Sequence, residues 1–112
     1  MNIIYPEHMS KKEIYDMTRS PAIKRMSDAV GEVLTVSALY MRDEVNPDGE
    51  VKEVCSIMTE KGEVYATNSR TFITSMNSII NIGFPQKVEI VSGTSRNGRK
   101  YIDVVCLEFT ED

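Results

Sequence analysis

The chain has no tryptophan, a single histidine and only two cysteines, and each shortage removes a class of chemistry. His8 stands in an N-terminal segment expected to be mobile, so a Ser/His/Asp or Cys/His arrangement would rest on a poorly anchored base. Hydrolytic chemistry is not expected, and no other enzyme constellation is present. Cys55 and Cys106 lie in apolar, strand-like runs, without CxxC spacing and without a nearby histidine to complete a metal site. Both read as buried, reduced thiols with nothing cationic beside them, and no metal or cofactor is expected. No run of about 18 apolar residues occurs, so no membrane span is expected. The opening MNIIYPEHMSKKE lacks the basic stretch and apolar core of a signal peptide, which points to a cytoplasmic protein.

At 112 residues, 41% of them hydrophobic, the chain has the size and composition of one domain, residues 1–112, able to bury a core without staples. Net charge is −4, but it is unevenly spread: residues 1–25 carry +2, 32–63 carry −5, 86–101 carry +3 and 102–112 carry −4. Basic charge gathers at the N-terminus and in the segment around Asn97-Gly98.

The best-defined element is a helix within Asn68 to Pro85. Phe72, Ile73, Met76, Ile79 and Ile80 form one apolar stripe at helical spacing. Asn68 or Ser69 is the expected N-cap, Gly83 the expected left-handed residue at the C-terminus, and Pro85 the stop. Before it, Ser10 and Glu13 have capping-box spacing, which predicts a short helix from Ser10 to Met17. Ser20-Pro21 predicts a second, with Ile23, Met26 and Val30 on its apolar face and Gly31 at its end. Lys11, Lys12, Arg19, Lys24 and Arg25 decorate this helical segment, 10–30.

From residue 31 to 109 the period is otherwise that of strands. Five are expected: Glu32–Met41, Val51–Thr59, Val64–Thr67, Lys87–Ser92 and Lys100–Phe109. The near-continuous apolar character of the first suits a strand that bends around a small barrel. Asn46-Pro47-Asp48-Gly49 predicts a type I turn, Glu60 to Glu63 a reversal, and Asn97-Gly98 a type I′ hairpin. The tail, Thr110-Glu111-Asp112, is too short for a linker.

Three strands, a helix and two strands is the element order of the OB-fold, a five-stranded barrel that binds oligonucleotides along strands two and three and the loops joining strands one to two and four to five. An α+β sandwich with an open sheet has the same order. The functional candidates centre on the last hairpin, where Arg96, Arg99, Lys100 and Tyr101 combine phosphate-neutralising charge with a ring on which a base can stack. Tyr65 and Tyr40 are further stacking candidates, each equally readable as core, and Arg70 in the first turn of the helix could reach a phosphate. An N-terminal helix position disfavours an unpartnered cation, which singles Arg70 out. Arg42, Asp43, Glu44, Asp48 and Glu50 leave the first long loop acidic, so one side of the groove is expected to repel DNA.

The stretches SPAIKRMSDAVGE, EVYATNSRTF and VSGTSRNGRKYI resemble small single-stranded DNA-binding proteins of phages and mobile elements of Gram-positive bacteria. The resemblance spans about Ser10 to Phe109. It implies an OB-like fold, sequence-independent binding of single-stranded DNA or RNA, a role in DNA replication or recombination in the host cytoplasm, and replication proteins as partners. Residue by residue it supports Arg96, Arg99, Lys100 and Tyr101, with Tyr65 and Arg70 more weakly. Cellular single-strand binders often end in a longer acidic tail, of which Glu108, Glu111 and Asp112 are a short version. The alternative is a non-enzymatic interaction module, such as an inhibitor, that meets a host protein through its acidic face.

Overall fold

The structure, a computed structural model, describes residues 2–110, so Glu111 and Asp112 of the acidic tail lie outside the described residues. In chain order the elements are β1 (Ile3–Tyr5), α1 (Lys11–Thr18), β2 (Lys24–Arg25), a 3-10 turn (Met26–Ala29), β3 (Val33–Val45), β4 (Val51–Thr59), β5 (Val64–Thr67), α2 (Arg70–Ile82), β6 (Pro85–Thr94) and β7 (Lys100–Phe109). With 47% of the described residues in strands and 23% in helices, the fold is mainly β, a mixed sheet curled into a half-barrel. No helix among the described residues is long and apolar enough to cross a membrane.

β3 is the spine of the sheet. Val33–Thr35 pair with Lys87–Glu89 of β6, Val36–Val45 pair with β4, and Leu39–Met41 take β1 on the side that β6 has left. The strand order is β2-β5-β4-β3-β6-β7, with β1 added to β3. The first and fourth of the five expected strands are therefore paired. A register shift between Val36 and Ala38 lets β3 bend, and it also reverses which residues face the core. Leu34 and Val36 point inward before the shift, and Leu39 and Met41 after it. Ala38 and Tyr40 are thereby turned to the other face, where Met17 of α1 closes a second, smaller cluster with Val64.

α1 starts on the expected capping box: Glu13 N–H donates to Ser10 Oγ and Ser10 N–H to Glu13 Oε1, both at 3.1 Å. The second expected helix does not form. Ser20 Oγ instead accepts from the Ala22 amide, a local turn that competes with helix initiation; Lys24–Arg25 then pair in parallel with Tyr65–Ala66, and only Met26–Ala29 are helical. The N-terminus is likewise not loose, since Ile3–Tyr5 form a strand and the Tyr5 ring stacks on Phe84 at 3.6 Å, leaving His8 exposed in the link to α1.

α2 buries Phe72, Ile73 and Met76, while Ile79 and Ile80 are only partly covered. Ser69 is its N-cap, accepting from Phe72 N–H at 3.4 Å. Gly83 ends it in extended backbone (φ 174°) and not in the expected left-handed conformation, with Gly83 N–H donating to the Ile79 carbonyl. The helix runs alongside β7. Its N-cap Ser69 Oγ donates to the Ile102 carbonyl at 3.2 Å, and at its far end a Cβ on Gly83 would stand 3.4 Å from the Phe109 ring. Among the described residues no ladder joins β5 to β7, and α2 fills the lower part of this open seam.

Candidate nucleic-acid interface

All three hairpins close on one turn. Gly98 N–H donates to the Ser95 carbonyl and Ser95 N–H to the Arg99 carbonyl, both at 2.9 Å; the same pair of bonds joins Asn46, Gly49 and Glu50, and again Thr59, Gly62 and Glu63. Only the glycine needs positive φ (86°, 82° and 78° at Gly49, Gly62 and Gly98), the signature of a type I turn followed by a left-handed residue. Asn97 keeps negative φ, so the expected type I′ turn is replaced by a longer loop that presents Arg96 and Asn97 at its tip. Arg96, Arg99 and Lys100 are exposed, and none of them enters an ion pair among the described residues.

The Tyr101 ring lies across Gly93, its partner on β6. A Cβ on Gly93 would stand 2.5 Å from Cζ and Oη of that ring, so only glycine leaves the space. The half-exposed ring is thus held against backbone on one side. Tyr101 also borders a cleft of about 640 Å³ at the upper part of the open seam. β7 contributes Lys100 and Ile102 to one wall, and β2 and the 3-10 turn contribute Arg25, Met26 and Ser27 to the other. Asn68 and the N-cap Ser69 close its lower end. Apolar floor, hydroxyl and amide groups, and a cation on each wall suit a ligand that alternates flat apolar rings with anionic groups.

The other candidates are scattered. Arg70 is exposed but does not line the cleft. Tyr65 is core, 5% exposed, with Lys24 Nζ 5.5 Å from its ring centroid, and has no free face for a base. Tyr40 belongs to the face under α1, where the Arg42 guanidinium lies 5.3 Å from its centroid. Arg42 is itself buried, donating to Glu44 and Ser56 at 3.1 and 3.0 Å, and so neutralises part of the acidic loop from within. The chain matches no family model, no curated protein and no solved structure.

Both cysteines are free, and they differ. Burial pushes the Cys55 thiol up to about 12, against a smaller downward pull from Arg42, the cation that sequence reading left out. Cys106 is only half-buried, its Sγ 3.5 Å from the Glu108 carbonyl, which corrects the expectation of two buried thiols. Sequence reading also missed Arg25 as part of a cleft. Its only signal was membership of the basic N-terminal group, because the two-residue strand that aims it is too short to carry a period.

Proposed function

We propose that the protein binds single-stranded nucleic acid with little sequence preference, as the small DNA-binding proteins of phages and mobile elements do in replication and recombination. The observation that carries this reading is the continuity of the β6–β7 hairpin with the cleft: three cations that have no ion-pair partner among the described residues lead to a ring pinned on Gly93, at the mouth of the cleft. Cations without carboxylate partners have no competitor to shed before meeting phosphate, and a ring already held in place loses little entropy when a base stacks on it. An OB-like barrel is part of the proposal. The β3-β4-β5 meander, the helix before β6 and the β3–β6 pairing support it, with α2 standing where the last ladder would close the seam.

Fluorescence anisotropy with a labelled 30-mer of oligo-dT tests the reading. If Arg96, Arg99 and Lys100 each neutralise one phosphate, they contribute about −2 to the slope of log K against log salt, at roughly −0.7 per contact. Changing all three to Ala flattens the slope by about 2, whereas Tyr101→Ala costs about 1–3 kcal/mol with little change in slope. No binding by the wild-type chain at low salt, or a triple variant that binds as before, would refute it.

A second reading has one observation in its favour. Beyond the core, the β3–β4 hairpin sets Asp43 opposite Glu53, and Val45 opposite Val51, both valines more than half exposed. An apolar pair beside carboxylates is a surface for a basic protein partner, and failure to bind oligo-dT would turn attention to it.

A further inference from the structure

β2 is two residues long, and its two side chains are treated differently. Strand alternation sends them to opposite faces. Lys24 reaches Glu63 (Nζ to Oε2, 2.5 Å) and covers the Tyr65 ring, tying the short strand to β5 and the turn before it. Arg25 therefore faces the other way, onto the cleft wall opposite Lys100. Its ion-pair partner among the described residues is Asp28, three residues on in the 3-10 turn, at 3.8 Å, with 84% of the arginine side chain exposed. A contact that long, exposed and local is weak, and salt or a phosphate displaces it readily.

Resting on the nucleic-acid reading above, we propose that β2 is the second wall of the binding cleft: a strand entering over the β6–β7 hairpin crosses Tyr101 and leaves over Arg25, which exchanges Asp28 for a backbone phosphate. Arg25 is then a fourth phosphate contact, supplied by the N-terminal segment and not by the barrel. Lys24 is a positioning residue, because its ion pair with Glu63 fixes the direction in which Arg25 points. Asp28 is a tethered competitor for the same guanidinium. The mixed lining fits a nucleotide between the two cations, with the base against Val30 and Ile102.

The same oligo-dT titration, run over a series of salt concentrations, separates this inference from the reading beneath it. Arg25→Ala is expected to weaken binding about three- to tenfold at low salt and to flatten the slope by about 0.7, while Arg25→Lys retains the slope. Asp28→Asn is expected to tighten binding about two- to threefold. Lys24→Met, with Arg25 intact, is expected to weaken binding more than the loss of one distant charge does, and Glu63→Gln to weaken it in parallel although it removes a negative charge. Wild-type binding with an unchanged slope in Arg25→Ala would overturn the second wall and leave the hairpin reading standing. Tighter binding in Glu63→Gln would overturn the positioning role of Lys24. Absence of wild-type binding would remove both proposals together.

Discussion

Glycine at position 93 is occupied space, since the Tyr101 ring stands where its side chain would be. Gly93→Ala should therefore cost about 1–3 kcal/mol through overpacking. In a Tyr101→Ala background the same change should cost nothing or stabilise slightly, because alanine is the better strand residue. A double-mutant cycle by chemical denaturation reads the coupling, and additivity of the two changes would mean that the ring does not rest there. Cys55 gives a second expectation at this scale. Its folded pKa of about 12 lies above the unfolded value near 9, so the folded state holds the proton that the unfolded state loses. The thiol then has no effect on stability below about pH 9, and stability falls by about 1.4 kcal/mol per pH unit above it, up to about 12. Native-state labelling with a thiol reagent should modify half-buried Cys106 first and Cys55 at the rate of opening. None of this was visible in the sequence, where both cysteines sit in similar apolar runs and the partner of Gly93 depends on hairpin register.

The elements were legible where the pattern was long. β4, β5 and β7 have the boundaries their alternation implies, and α2 follows its stripe from Phe72, although Ile79 is covered only in part. Met76→Ala should therefore cost about 2–5 kcal/mol, and Ile79→Ala distinctly less, by thermal or urea unfolding. In the 10–30 segment the first helix forms as its capping box implies, but the second does not, because the order of residues 20–30 comes from pairing partners far along the chain: Lys24 with Glu63, and Arg25 beside Ala66. That anchor has a pH range. Lys24 stabilises the carboxylate and holds Glu63 below the usual carboxyl value, so the pair is intact above about 4.5 and weakens as pH falls through the lowered value. Glu63 raises the Lys24 ammonium above 10.5, so the pair persists until pH rises past that point. Oligo-dT affinity should accordingly show no step from this pair between about pH 5 and 10. Half of the candidate site could be read in advance, namely the hairpin cations and Tyr101. The opposite wall could not, because it exists only where two distant segments meet.

Across the whole molecule, net charge −4 coexists with a cationic edge because the two signs are carried by hairpins that leave the β3–β6 junction in opposite directions. β3 runs on to the acidic tip at Asn46–Glu50, while antiparallel β6 runs to the basic tip at Ser95–Arg99. The acidic tip begins at Glu50, five residues or about 16 Å beyond Cys55, the register partner of Thr67 in the cleft. That exceeds the screening length of about 8 Å at physiological salt. Neutralising Asp48 and Glu50 should then change oligo-dT affinity less than about threefold at 0.15 M salt and clearly more at 0.01 M, where screening extends about 30 Å. An equal effect at both would mean that the acidic hairpin touches the strand. The shared turn has a further use. Because glycine follows the two central residues in both hairpins, Pro47-Asp48 and Arg96-Asn97 can be exchanged without asking either backbone to move. The product would be a charge isomer of the natural chain, with identical mass, composition and isoelectric point but a redistributed electric dipole. It would separate how much charge the protein carries from where the charge lies.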